Sequence, residues 1–498
     1  MSINARPESE WRALRHCLIA SAIVTAIILI WSFWFKPVTY DEYYTWFEVK
    51  PGPSFSDALT QHWLRDSHPP LYYGLIYLLR QLSGQFFVLR ALNAVGVLLA
   101  LWAMAAIAGE HATIRLPTGL FLMAVPANPN LFASLVMLRS YALQCMVDCV
   151  ILTGLCAYLI DGVLSRRSRI VLSTALILGL NLHLENSMGL AGLLGTVTII
   201  AIRRRDRDVA QWLMAVSIAS AAILITTSVF QLADWQYDAT GIAGRLADRN
   251  ASSIAKVLVF TAAAVLLTAP VQIVLAARGV VQMWAGRRWD SWSAAAAVLL
   301  GVGVALLGLY TAIQPVMLEP YYTILNQLLL LYAACLPAAL VLQATSPKRA
   351  AVLLWAMVLT SGICQLYNLR SATAPLATEW PGLQWLSDEI AACPDTAVHV
   401  VRLDPGLYDP NAGPDAPDML PEYLRFTARL EGIRIEPERS RRISAKCPTL
   451  FWIDDWMQPG LPVKRKEAAI LGTLRKQGFA VARIELITPR QERIAIAR

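Results

Sequence analysis

The chain is dominated by a succession of long apolar runs joined by short polar segments, and few architectures accommodate such a pattern. Crossing the hydrocarbon core of a membrane takes about 20 apolar residues. Runs of this kind occur at 17–34, 86–107, 117–136, 139–161, 170–183, 186–202, 209–230, 253–276, 291–313, 323–343 and 349–366. The stretch 170–202 is too long for one span. It divides at His183-Leu-Glu-Asn186, because a His and a Glu together are costly at mid-bilayer. The pattern predicts an α-helical polytopic membrane protein of about 11 spans.

The basic residues test this threading. With the N-terminus inside, Arg115, the group Arg166, Arg167 and Arg169, and the group Arg203, Arg204, Arg205 and Arg207 fall on one side. Arg278, Arg287, Arg288, Lys348 and Arg349 fall there too, as the positive-inside bias requires. Without the division at 183–186 the agreement fails from residue 203 onward. An odd number of spans places the polar C-terminus outside. Composition agrees: 16% of the 498 residues are charged, against about 25% in soluble domains, and the mean hydropathy is +0.48. The net charge of +8 sits in the joints between spans and is not a nucleic-acid footprint, so no nucleic-acid partner is expected. Residues 17–34 are longer than a typical signal-peptide core and no A-x-A-like site follows before Asp41, so an uncleaved first span is expected.

Two domains are predicted, a transmembrane domain over 1–368 and a small α/β domain over 369–498 on the outer side. In the latter, 380–390 and 464–479 have helical periodicity, while 396–403, 449–454 and 480–487 read as strands. Six of the eight cysteines lie in apolar runs, where cysteine behaves as a small hydrophobe. Cys145 and Cys149 are one helical turn apart, but Asp148 is their one neighbour with ligand chemistry. Cys393 and Cys447 stand alone in the polar tail; a disulfide between them is compatible with an oxidising compartment and is left open at this point.

Three polar constellations fall at the expected outer surface. KPVTYDEYYTWFE (36–48) carries the acidic pair Asp41-Glu42, which in isolation is a turn that ends a helix. RDSHPPLYYGLIYLL (65–79) holds His68 beside Arg65, ahead of two prolines that fix an extended backbone; alone, it merely begins a helix. LRSYAL (138–143) puts Arg139 at the outer start of a span, where a guanidinium either snorkels to headgroups or clamps a phosphate bidentately. Together they supply a carboxylate base, cations for a phosphate and an aromatic loop on one membrane face. A transferase drawing on a lipid-phosphate donor needs that set.

DEYYTW, HPPLYYGLIYLL, FVLRALNAV and LRSYAL follow one another in an order and spacing that resembles the polytopic GT-C glycosyltransferases of the protein O-mannosyltransferase and lipid A aminoarabinose transferase group. The resemblance covers roughly the first 200 residues, and HLEN (183–186) is similar to that family's short polar turn. It implies inverting transfer of a sugar from a polyprenyl-phosphate donor to a hydroxyl acceptor, whether a cell-envelope lipid, a polysaccharide or a protein. It further implies a bacterial inner membrane, a cytoplasmic N-terminus and a periplasmic C-terminal domain. By the same resemblance Asp41 is the general base and Glu42 supports it or positions the acceptor. His68, Arg139 and Arg65 bind the donor phosphate, and Tyr44, Tyr72, Tyr141, His183 and Glu185 line the substrate site. The chain departs from the pattern where His68 replaces a lysine, and where LEPYYTIL (318–325), with Glu319, replaces an Arg-Tyr pair.

No cofactor is required by this chemistry, although the acidic pair with His68 or His183 leaves room for a divalent metal. Two other readings compete. A transporter or flippase for a lipid-linked glycan is favoured by Asp148 inside a span, but repeated halves and broken Gly/Pro helices are not evident. An inactive structural subunit of an envelope complex is disfavoured by the presence of Asp41, His68 and Arg139.

Overall fold

The computed structural model describes residues 8–50, 52–64, 69–246, 259, 262–286, 291–313, 323–375, 381–401, 419–436, 442–443, 446–453, 463–476, 478–479, 483–486 and 493–497. Within its helices and strands some side chains, that of Glu185 among them, lie outside this description. The chain forms two compact units. The first comprises Met1–Lys36, Glu48–Ala233 and Arg249–Thr373, and the second Pro37–Phe47, Asp234–Asp248 and Ala374–Arg498.

The first unit is a helical bundle, and the protein is a multi-pass membrane protein. Among the described residues eight helices are long and apolar enough to cross a membrane, or up to 10 if each of two bent pairs is one span. The apolar runs lead to an expectation of eleven. The shortfall is the 170–183 run, whose helix is Arg166–Gly179: its 14 residues reach only about 21 Å, short of a hydrocarbon core of about 30 Å. A further correction concerns 209–230, because the helix beginning at Arg207 runs on to Leu246 where a loop is expected from 231.

Both bends have a proline cause, and they correct the expectation that helices broken at Gly or Pro are not evident. Ala112–Ala127 and Pro129–Val136 meet at 75°, with Pro126 and Pro129 flanking Asn128, whose side-chain oxygen caps the second helix by accepting from Asn130 N and Leu131 N. Ala262–Thr268 and Pro270–Gln282 meet at 98°, where Ala269 precedes a proline and is steered away from helical geometry. Two helices, Ser140–Asp161 and Ile324–Ala344, have 83% of their spanning windows buried, against 22–44% for the other six. Their sequences are apolar on every face, which suits an element enclosed by other helices. Gly279 allows the Pro270–Gly286 helix to pass close to the second of these, since a Cβ there would lie 2.6 Å from Pro337 O.

Helix ends inside a bundle leave carbonyls that lipid cannot satisfy, and arginines close several of them. Arg115 donates to Ala108 O and Gly109 O at the end of Phe86–Glu110. Arg204 donates to Tyr158 O and Leu159 O at the end of Ser140–Asp161. Arg90, only 1% exposed, donates from Nη1 to Phe33 O at 3.1 Å and Lys36 O at 2.8 Å, closing the first helix, Glu8–Phe35. One turn further on, Asn93 donates to Leu135 O and Met137 O. The FVLRALNAV segment is thus a brace across helix ends.

In the second unit a four-stranded sheet is built from β1 (Ala397–Val400), β2 (Thr449–Ile453), β3 (Arg483–Leu486) and β4 (Arg493–Ala497), in the order β1-β2-β4-β3. β1 and β2 are parallel, with Ala397 opposite Thr449; β4 is antiparallel to both β2 and β3. β2, TLFWI, is buried at every residue, the continuous apolar run of a central strand. Helices Pro381–Ala392 and Val463–Lys476 match the expected periodic stretches. Strand β4 and helix Met419–Leu430 are additions to the sequence reading. A disulfide joins Cys393 to Cys447, with Cα atoms 5.8 Å apart, whereas Cys145 and Cys149 are free thiols buried in the bundle core.

Arg90→Ala is expected to cost about 2–3 kcal/mol, the range for a charge-assisted hydrogen-bond donor removed from a buried site, and Arg90→Lys to recover only part. Thermal unfolding of the detergent-purified protein reads this; an unchanged midpoint in Arg90→Ala would show that the brace is dispensable.

Candidate functional site

The acidic pair belongs to the second unit and sits in a helix of its own, Tyr40–Glu48. Its start, Thr39-Tyr-Asp-Glu42, has the spacing of a capping box and makes the reach-back half of one. The Glu42 carboxylate accepts from Thr39 N at 3.1 Å and from Thr39 Oγ1 at 3.2 Å, while Thr39 O receives the first helical bond from Tyr43 N. Glu42 is fully buried, so its first task is to hold the helix start. Asp41 and Tyr44, three residues apart, lie on one side of this helix and are half-buried. Both acids fall in the first turn, where the helix dipole favours negative charge.

The first unit brings several of the remaining candidates to one end of the bundle. Asn93 holds the chain break at 137–139, and Arg139 follows as the residue that begins the central Ser140–Asp161 helix. Arg139 is buried; its Nη1 donates to Tyr73 Oη at 3.4 Å, and its guanidinium carbon lies 6.0 Å from the centre of the Tyr141 ring. Tyr141 also meets His183, with ring centres 5.1 Å apart. His183 is the residue before the Leu184–Arg203 helix and is itself buried. Tyr73 comes from the Leu71–Arg80 helix, which buries Tyr72, Tyr73 and Ile76 on one face. Two helix N-termini, a guanidinium, an imidazole and phenol hydroxyls therefore share one end of the bundle, and such donors suit an anion.

Below this end lies a second polar group. Asp148, fully buried, accepts from Gln144 Nε2 at 2.7 Å and from Asn186 Nδ2 at 2.9 Å. Among the described residues no cation pairs with it. The network ties the central helix to the first turn of the helix that His183 precedes, so Asp148 works as a clamp beneath the Tyr141–His183 contact.

Arg65, His68 and Glu319 lie outside the described residues, and of Glu185 only the backbone is described, in the first turn of its helix. Among the described residues no three His, Cys, Asp or Glu side chains converge as metal ligands. The residues missed by sequence reading are Tyr73, Gln144, Asn186 and Asn93. Their signal is present in part, since polar amides inside apolar runs call for partners, but which partner each takes is set by packing.

No protein-family model matches the chain, and no curated protein sequence does. Solved structures do. The apo form of ArnT from Cupriavidus metallidurans aligns over 96% of this chain and 97% of its own, with a TM-score of 0.53 and 11% identity. ArnT from the same organism bound to undecaprenyl phosphate covers the same shares at a TM-score of 0.49 and 11% identity. The arabinosyltransferase EmbB from Mycobacterium smegmatis aligns over 66% of this chain and 30% of its own, at a TM-score of 0.38 and 14% identity. The first match is close enough to define an architecture. The chain has a GT-C-like fold.

If Asp148 acts as a hydrogen-bond acceptor for two amides, Asp148→Asn retains an acceptor oxygen and costs about 1 kcal/mol or less, whereas Asp148→Ala strands two buried donors at about 2–4 kcal/mol. Unfolding midpoints of the two variants decide; equal losses would mean that the charge itself is what the site needs.

Proposed function

We propose that the protein is a glycosyltransferase that moves a sugar from a polyprenyl-phosphate donor to a hydroxyl acceptor of the cell envelope, with inversion. The observation that supports this best is the cluster of Arg139, Tyr73, Tyr141 and His183 at one end of a GT-C-like bundle. In this reading the acceptor oxygen attacks the anomeric carbon as the carbon–phosphate-oxygen bond breaks. Its proton passes to the Asp41 carboxylate, and the lipid phosphate leaves as the anion. Arg139 stabilises the charge growing on that phosphate, a contribution made at the transition state. Tyr44, Tyr72, Tyr141, His183 and Glu185 shape the substrate site, and Arg65 and His68 add to phosphate binding. The donor is already activated, so neither a nucleotide nor a cofactor is required. Glu42, as the partner of Thr39, acts by holding Asp41's helix.

The membrane is proposed to be a bacterial inner membrane, with the C-terminal domain on the periplasmic side. The Cys393–Cys447 disulfide supports that side, because disulfides persist in oxidising compartments. The acceptor is a lipid, a polysaccharide or a protein. A transport function draws on Asp148, but that carboxylate is already engaged by two amides.

The test is transfer of radiolabelled sugar from polyprenyl-phosphate donors, supplied one sugar at a time, to an envelope extract by the purified protein. Asp41→Asn is expected to lower the rate about 10²–10⁴-fold, the usual worth of a positioned general base, with donor binding retained. Arg139→Ala is expected to weaken donor binding as well, and chelation with EDTA to leave the rate unchanged. A wild-type protein that binds no donor and transfers no label would give precedence to the transport or scaffold readings.

A further inference from the structure

The helix that carries Asp41 is part of the C-terminal domain by contact, although in sequence it follows the first membrane span. Tyr40, Tyr43 and Trp46 recur at three-residue intervals and form one stripe of the Tyr40–Glu48 helix. That stripe meets the Met419–Leu430 helix. The Tyr40 ring lies edge-on to Tyr423 at 5.5 Å, and Tyr43 packs against Tyr423 at 5.4 Å and Phe426 at 5.0 Å. Trp46 lies 6.4 Å from Phe426. The Tyr423 hydroxyl donates to Val38 O at 3.0 Å, just ahead of Thr39. Tyr423 is fully buried and lies on the same helical face as Leu424, Thr427 and Ala428, and the helix packs on β1.

We infer that Tyr423 is a positioning residue for Asp41: it fixes the segment 38–46 by a hydrogen bond at one end and ring contacts along its length. The inference rests on the reading of Asp41 as the general base. The physical reason is that a nine-residue helix is too short to persist by itself in water. The contact of Glu42 with Thr39 sets where it begins, but its place comes from packing. Asp41 lies about 100° or more around the helix from each residue of the anchored stripe, so the contacts with Tyr423 and Phe426 fix its direction from the other side of the helix. A reacting carboxylate must be held within a fraction of an ångström of its target. Here the C-terminal domain supplies that restraint, which gives it a role in the rate of reaction independent of any acceptor it contacts.

Tyr423→Phe in the full-length protein is the test, because it removes the bond to Val38 O and keeps the ring. Amide hydrogen exchange over 38–48 is expected to speed up about fivefold, the factor for one ordinary hydrogen bond, with exchange in β1, β2 and β4 unchanged. The transfer kcat is expected to fall with the KM for the lipid donor unaltered, and Tyr423→Ala to lose more, so that phenylalanine rescues in part. Unchanged exchange at 38–48, a rise spread equally over the sheet, or faster exchange with an unaltered kcat would each overturn the proposal. A wild-type protein without transfer activity removes the catalytic reading instead, and the exchange result then stands on its own as a statement about how the helix is held.

Discussion

Asn93 sets much of the membrane unit. Its side-chain amide donates to Leu135 O and Met137 O, the carbonyls where one helix ends and the central one has not begun. In a lipid environment a chain break survives only if the protein itself satisfies the freed backbone groups. With that break fixed, Arg139 is the first residue before the Ser140–Asp161 helix, and its side chain is buried against Tyr73 and Tyr141. Arg90, one turn before Asn93 on the same helix, closes the end of the first span in the same way. Two polar residues of one helix thereby locate the ends of two others, and the candidate phosphate-binding end of the bundle follows.

The three notable carboxylates serve different ends. Asp148 is buried deep in the central helix and its oxygens are taken by amides, so it stiffens the scaffold. Glu42 is equally buried but local: its carboxylate accepts from Thr39 N and Oγ1 at the helix start. Asp41, its neighbour, is half-buried on the side of the helix away from the aromatic stripe. Adjacent acids of one short helix thus have different surroundings, Glu42 fully buried at the helix start and Asp41 partly exposed.

Several features of this arrangement are legible in the amino-acid sequence. LRSYAL marks the start of a span because an arginine interrupts two apolar runs, and HLEN marks a break between runs because polar residues are costly at mid-bilayer, although the turn itself ends at His183 and Leu184, Glu185 and Asn186 open the following helix. The Thr-x-x-Glu spacing in TYDE is the signature of a helix start, yet the aromatic run around it makes the two acids look like a pair with one role. The Arg166–Gly179 helix reads as a full span because hydropathy reports which residues tolerate lipid, not how far a helix extends. Strand β4 escapes detection because a five-residue strand leaves a weak periodic signal, whereas the 12-residue Met419–Leu430 helix is strongly amphipathic and its signal is there to be read in MLPEYLRFTARL.

By itself, the sequence determined that the chain crosses a membrane many times, which joints carry the basic residues, and where a polar α/β region follows. These are consequences of local composition and period, since lipid permits few ways to satisfy a backbone. Only the tertiary structure decided which side chains meet. The hydrogen bond from Tyr423 to Val38 links residues 385 positions apart, and Asn186 reaches Asp148 across 38. Side chains become neighbours through the close packing of whole elements, and no local pattern encodes that a helix following the first span in sequence is fastened to a domain at the other end of the chain.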